Sequence, residues 1–269
     1  MKIATLNINS VNARLPNLID WLSANQPDVM LLQEIKCEFN NFPFFDLQMC
    51  GYEAKILGQK SYNGVAILSR NKIAITTENL PNFTDENARY LEAQISIREQ
   101  NYRIASLYLP NGNPPYNDPT DTDKFSYKLK WMDSFLQHAE NLLNTQKNVI
   151  LAGDFNVILT PNDVYNPELF KDNALYRQEV KQRLKQLSYL GYTDAYRSLY
   201  PQKNGYTFWD YTGSALQNDL GMRIDYIFVS PSLADRLQKC DIDRDFRRRE
   251  KSSDHTILTA EFGDKKCPD

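Results

Sequence analysis

The chain has 269 residues, 42% of them hydrophobic, with 31 lysines and arginines against 34 aspartates and glutamates for a net charge of −3. This is ample apolar material for a core, and the charge excludes a protein that coats nucleic acid through bulk positive potential. No apolar run approaches the roughly 20 residues of a membrane span, and Met1-Lys2-Ile3-Ala4-Thr5-Leu6-Asn7 turns polar too early for a signal peptide, so a cytoplasmic protein without membrane contact is expected.

In chain order, Ile3 to Ile8 reads as a strand, and Leu15, Leu18, Ile19 and Leu22 as one face of a helix. Short β-rich runs follow at Val29 to Leu32, Val65 to Leu68, Leu91 to Ile97 and Ile104 to Tyr108. Phe125, Leu129, Met132, Phe135 and Leu136 mark a second helix, Val149 to Leu151 a strand, and Val180, Leu184 and Leu187 a third helix. Ile224 to Val229 and Thr256 to Phe262 complete the strands. Some runs alternate, as in Ala93-Gln94-Ile95-Ser96-Ile97, while Met30-Leu31-Leu32 and Val149-Ile150-Leu151 do not, which fits stacked sheets with helices outside. No linker or charge block divides the chain, so residues 1–269 are expected to form a single domain. Cys37, Cys50, Cys240 and Cys267 form no CxxC pair, so reduced thiols are expected rather than a zinc site or a disulfide framework.

Several of these strands end in polar groups for which a core has no use. The first runs into Asn7 and Asn9, the second into Gln33-Glu34-Ile35-Lys36, and a later one into Tyr108-Leu109-Pro110-Asn111. Val149 to Ala152 leads to Gly153-Asp154-Phe155-Asn156, Asp225 sits in an apolar run, and Ser253-Asp254-His255 precedes the last strand with one of only two histidines. A carboxylate in a buried strand is costly without a partner, and Asp225 can orient His255 as an acid or base. Glu34 is a hard oxygen donor suited to Mg²⁺. Asp154 can position or deprotonate a water, while Tyr108 and Asn111 can donate to a phosphate. With no nucleophilic serine or cysteine in a recognisable setting, the chemistry expected is metal-assisted phosphoester hydrolysis by direct attack of water.

Seven motifs carry a resemblance running nearly end to end: Leu6-Asn7-Ile8-Asn9, Leu32-Gln33-Glu34-Ile35-Lys36, Tyr62-Asn63-Gly64-Val65-Ala66, Tyr108-Leu109-Pro110-Asn111, Gly153-Asp154-Phe155-Asn156, Arg223-Ile224-Asp225-Tyr226 and Ser253-Asp254-His255. Together, in order, they resemble the exonuclease III family of abasic-site endonucleases, within the deoxyribonuclease-I-like metal-dependent phosphoesterases. The resemblance implies an α+β fold, a four-layer sandwich of two packed mixed β-sheets flanked by helices. It implies Mg²⁺, with Mn²⁺ as a substitute, held by Glu34 with Asn9 nearby and Asp254 in the metal or histidine network. By the same resemblance Asp154 orients the attacking water, Asn7 and Asn156 hold the phosphate and its neighbours, Tyr108 and Asn111 contact it, and Asp225 and His255 form a dyad. Phe208, Met222 and Ile224 occupy the positions of a pocket for a bare sugar. Lys36, Arg89 and Lys128 are expected at the DNA, with Tyr211 to Leu220 as a minor-groove loop.

The activity implied is base excision repair: incision of double-stranded DNA 5′ to abasic sites, with trimming of blocked 3′ ends and 3′→5′ exonuclease activity. A monomer, nucleoid-associated in function, is expected. The shared metal core by itself leaves inositol phosphates, phospholipids and RNA open as substrates, and a noncatalytic damage-binding protein is the remaining alternative.

Overall fold

The computed structural model describes residues 1–115 and 124–263; Cys267 lies outside them. In order, the elements are β1 (Lys2–Asn7), α1 (Val11–Asn25), β2 (Val29–Gln33), α2 (Phe44–Met49), β3 (Glu53–Leu57), β4 (Val65–Ser69), β5 (Ile73–Glu78), β6 (Tyr90–Ile97) and β7 (Gln100–Tyr108). They continue with α3 (Lys124–Thr145), β8 (Val149–Asp154), α4 (Gln178–Leu190), β9 (Thr193–Asp194), α5 (Ala195–Leu199), β10 (Asp225–Val229), α6 (Pro231–Ala234), β11 (Leu237–Asp243), α7 (Arg244–Arg247) and β12 (Ile257–Phe262).

The strands form two six-stranded mixed sheets, ordered β11-β12-β1-β2-β4-β3 and β5-β6-β7-β8-β10-β9. Each has one parallel pair at its centre, β1 with β2 and β7 with β8, flanked by antiparallel neighbours. A parallel pair needs a crossover, supplied by α1 in the first sheet and a connection through α3 in the second. Residues at the ends of these pairs therefore lie side by side, Asn7 with Gln33 and Tyr108 with Asp154.

Burial explains the unbroken apolar runs. Leu31 of β2 packs with Ile3, Ile67, Ile104, Ile150 and Ile227 between the sheets, while its neighbours Met30 and Leu32 pack outward against Leu18, Trp21 and Leu22 of α1. On the other side Trp131, Phe135, Val180 and Leu184 of α3 and α4 cover Leu107, Leu151 and Phe228. Helix, sheet, sheet and helix make the four expected layers, and strands buried on both faces lose the alternating pattern. The helix α4 stops at Gly191, whose left-handed φ of 115° lets its N–H reach the Leu187 carbonyl.

Four strands went unread in the sequence: β3, β5, β9 and β11. They are the four edges of the two sheets, with sequences such as Leu-Gln-Lys-Cys-Asp-Ile-Asp, and an edge strand with one neighbour and partial exposure needs no apolar run. Cys37, Cys50 and Cys240 are free thiols. Among the described residues no helix is long and apolar enough to cross a membrane.

Candidate active site

Both parallel pairs end at the same edge of the sandwich, and Asn7 joins them. Its buried side-chain amide donates to Glu34 Oε1 (2.8 Å) beyond β2 and to Asp154 Oδ2 (2.9 Å) at the end of β8, so its two N–H groups link the sheets. Its carbonyl accepts from Ser253 Oγ at 2.6 Å, which brings the β12 approach to the same point.

Glu34 Oε2 faces Lys36 Nζ at 2.8 Å, and the same ammonium donates to Asn9 Oδ1 at 2.7 Å. Asn9 Nδ2 donates to Asp254 Oδ1 at 3.0 Å. Glu34 and Asn9 thus converge on one cation-sized point, occupied by the Lys36 ammonium. Burial alone would raise the Glu34 carboxyl, but hydrogen bonds from Asn7 and Lys36, with the lysine charge, hold it below its ordinary value. Asn9, Ser10, Glu34, Lys36 and Asn156 all have positive φ, at 47°, 84°, 49°, 53° and 48°. Left-handed backbone turns these side chains back over the strand ends at a conformational cost.

Gly153 lets β8 approach β7 closely, because a Cβ there would collide with the Leu107 carbonyl oxygen. Asp154 follows it. Its Oδ1 accepts from the Asn156 backbone N–H (2.8 Å), and its Oδ2 from Asn7 and from Asn156 Nδ2 (3.3 Å). Burial pushes the Asp154 carboxyl up to about 7, with the Asp225 charge adding to the rise and the His255 charge opposing it.

Asp225 opens β10 opposite Asp154 in the antiparallel ladder. Its Oδ2 lies 2.8 Å from His255 Nδ1, while Oδ1 is buried with no hydrogen-bond partner. His255 Nε2 faces Asp154 Oδ2 at 3.8 Å. Burial of the imidazole would lower its pKa, but Asp225 and the other carboxylates around it drive it upward. Thr207, which had no signal in the sequence, fixes this strand: its Oγ1 accepts from the backbone N–H groups of Ile224 and Asp225, both at 3.2 Å. Ser253 does the same for His255, accepting from its backbone N–H.

Tyr108 ends β7, its ring under the Arg89 guanidinium at 4.8 Å. Burial and the nearby Glu34 and Asp154 carboxylates push its phenol well above the ordinary value, so it is a hydrogen-bond donor. Exposed Asn111 donates to Asn156 Oδ1 at 3.2 Å, and Asn156 Nδ2 donates to the Leu109 carbonyl at 2.9 Å. Lys128, expected at the DNA, is fully buried instead. Its ammonium donates to the carbonyls of Asn111 (3.0 Å), Asn156 (2.6 Å) and Ala174 (3.3 Å), so its three protons are spent joining three loops and none reaches a phosphate.

Phe208 and Met222 are half-buried and pack with Ile224, Ile158, Val164 and Leu175 in a separate apolar cluster. Phe208 also stands edge-on to the His255 ring at 4.9 Å and 70°, so the cluster borders the histidine. The segment Tyr211 to Leu220 is compact rather than extended: Ala215 is buried beside Trp209, whose indole donates to Asp219 at 3.0 Å, and Tyr211 remains 52% exposed.

Chemically, the edge offers a cation point framed by hard oxygens, an orphan carboxylate oxygen, and Asp154, Asp225 and His255 with ligand atoms all within 4.8 Å of one another. That donor set suits a divalent cation. Residues 4–255 match the Endonuclease/Exonuclease/phosphatase family. Solved relatives include a 3′ phosphatase from Neisseria bound to a product DNA hairpin, 36% identical, covering 98% of this chain and 99% of that one with a TM-score of 0.91. An AP endonuclease from Archaeoglobus fulgidus is 33% identical over 97% of this chain and 99% of that one, with a TM-score of 0.88. Exodeoxyribonuclease III of Haemophilus influenzae is 28% identical over 270 residues, covering 97% of this chain and all of that protein. The chain belongs to the Endonuclease/Exonuclease/phosphatase family of metal-dependent nucleases, in its exonuclease III and AP endonuclease branch.

Proposed function

We propose that this DNA repair nuclease hydrolyses the DNA backbone 5′ to abasic sites with Mg²⁺, and that the same centre trims blocked 3′ ends and removes nucleotides 3′→5′. The observation that carries the reading is the meeting of Glu34, Asp154 and the Asp225–His255 pair at one edge, joined by Asn7. Glu34, with Asn9 and Asp254 behind it, would hold the metal, which when bound supplies positive charge to a phosphate oxygen and the leaving group. Asp154 is raised toward neutrality, a value suited to taking a proton from water. Asn156, hydrogen-bonded to Asp154 and Asn111, orients the water and a phosphate oxygen. His255, kept cationic by Asp225, donates to another phosphate oxygen, and Tyr108 to a third.

Phe208, Met222 and Ile224 form the apolar wall for a sugar without its base, while Lys36 and Arg89 line the path of the backbone. The relative bound to a DNA hairpin is a 3′ phosphatase, which favours 3′-end processing as a companion activity. The protein acts as a monomer on damaged duplex in this reading.

The test is cleavage of an end-labelled duplex carrying one tetrahydrofuran abasic analogue, with Mg²⁺ or EDTA, beside an undamaged duplex with a recessed 3′ end. A single Mg²⁺-dependent cut 5′ to the analogue is expected, and the ratio to 3′ trimming ranks the activities. Folded, metal-binding protein that cuts neither substrate would sink the reading.

A further inference from the structure

At and just below the level of Asn7, the apolar interface between the sheets carries polar side chains. Thr5 of β1, Gln33 of β2 and Ser106 of β7 are all fully buried. Gln33 Nε2 donates to Thr5 Oγ1 in its own sheet (3.1 Å) and to Ser106 Oγ in the other (3.0 Å). Ser106 Oγ donates back across the gap to the Leu32 carbonyl, also at 3.0 Å. The bridge therefore crosses between sheets twice. Gln33 is the peptide neighbour of Glu34, and Ser106 lies two residues before Tyr108 on the strand paired with β8.

Stability gives little reason for this arrangement. A buried hydrogen bond contributes only about 1 kcal/mol net, and apolar groups of the same shape at both partners are nearly neutral or better. Geometry gives a stronger one. Apolar contact between two sheet faces is non-directional and tolerates alternative packings, whereas a hydrogen bond weakens steeply with misalignment. The active edge is divided between the sheets, with Glu34 on the first and Asp154 and Asp225 on the second. A displacement of about 1 Å between them costs on the order of 10²-fold in rate.

We propose that the Gln33–Ser106 bridge sets the offset between the two sheets, and that Gln33 and Ser106 are positioning residues that hold Glu34 at its working distance from Asp154. This rests on the reading of Glu34 as the metal-holding carboxylate. Neither side chain touches the substrate or the cation point. Each acts through the strand end it fixes.

The test compares Ser106→Ala, Gln33→Met/Ser106→Ala and Ser106→Thr with the wild-type chain, measuring Tm, kcat and KM on abasic duplex, and Mn²⁺ affinity by calorimetry. For the double variant, kcat is expected to fall by about tenfold to a hundredfold and Mn²⁺ affinity by about tenfold, with KM little changed and a modest fall in Tm from the buried Thr5 hydroxyl left without Gln33. Ser106→Ala, which removes a single oxygen, should move the same way, and Ser106→Thr should keep both values near wild type. Wild-type kcat and Mn²⁺ affinity in both bridge-deleted variants overturn the proposal. So does a loss that tracks Tm alone, or a threonine variant as impaired as the alanine one. The Mn²⁺ titration needs no cleavage, so a wrong substrate assignment leaves it able to decide.

Discussion

The chain's two histidines each meet a buried carboxylate, and the two pairs differ in what is left over. His138 of α3 lies 2.7 Å from Glu92, which also accepts from Tyr90 (2.7 Å), Thr76 (2.9 Å) and Arg103 (3.0 Å). His255 lies 2.8 Å from Asp225, whose other oxygen is buried and unpartnered, with the raised Asp154 carboxyl beside it. Around Glu92 every lone pair has a donor, and the network is complete. Around Asp225 and Asp154 there is more negative charge than the protein neutralises, which leaves room for a cation and for a proton. A buried pair is a poor indicator of function until its unused capacity is counted.

Exchanging the roles of the two histidines is the sharpest way to break this comparison. His255→Asn is expected to lower kcat by about 10³-fold or more, within the range for general acid–base and electrostatic groups. His138→Asn should leave kcat near wild type and lower Tm; the reverse pattern would undo the distinction. Lys128 belongs with Glu92, since its three carbonyl acceptors use all its protons. Lys128→Met strips those carbonyls of their donor and is expected to cost about 3 kcal/mol in denaturant unfolding. A loss confined to DNA affinity would instead return Lys128 to the binding surface.

Acid titration separates the pairs further. The burial that would raise Glu92 is outweighed by hydrogen bonds from His138, Tyr90 and Thr76 and by the His138 charge, which hold its carboxyl down to about 2 against an ordinary 4.5. A depressed carboxylate contributes stability that is complete above pH 4.5 and is lost as pH falls towards 2, here on the order of 3 kcal/mol. Unfolding free energy followed across that window should fall less in Glu92→Gln than in wild type, by about 3 kcal/mol, the remainder coming from other depressed carboxylates such as Glu34. Asp154 has the opposite sign. It takes up a proton as pH drops through about 7, so kcat should fall about tenfold per pH unit on the acid side, and a flat profile from pH 5 to 8 would remove Asp154 as the proton acceptor.

The sequence was informative where chemistry and chain geometry coincide. Asn7, Glu34, Tyr108 and Asp154 follow apolar runs, so an end-of-strand polar residue stands out against its own strand. Asp225 and His255 stand out for the same reason, as a carboxylate and a rare imidazole at the edge of hydrophobic segments. Lys128 misled because a lysine on an amphipathic helix normally reaches solvent, and only tertiary packing brings three loop carbonyls over it. Thr207 and Ser106 were invisible: each acts through one oxygen on a partner more than fifteen residues away. The Glu92–His138 network had no local pattern either, since its members come from β5, β6, β7 and α3.

The left-handed residues around the cleft bear on directed evolution. Ser10, Glu34 and Lys36 hold a backbone conformation that costs them about 1–2 kcal/mol each, and glycine would adopt it freely. A library selected for thermal survival alone should therefore drift toward glycine at these positions, and its hardiest members would lack the carboxylate and ammonium that frame the cation point. Selection that also demands cleavage should keep Glu34 and Lys36 while releasing Ser10, so the substitutions tolerated under the two regimes would separate the residues retained for chemistry from the one retained for the turn.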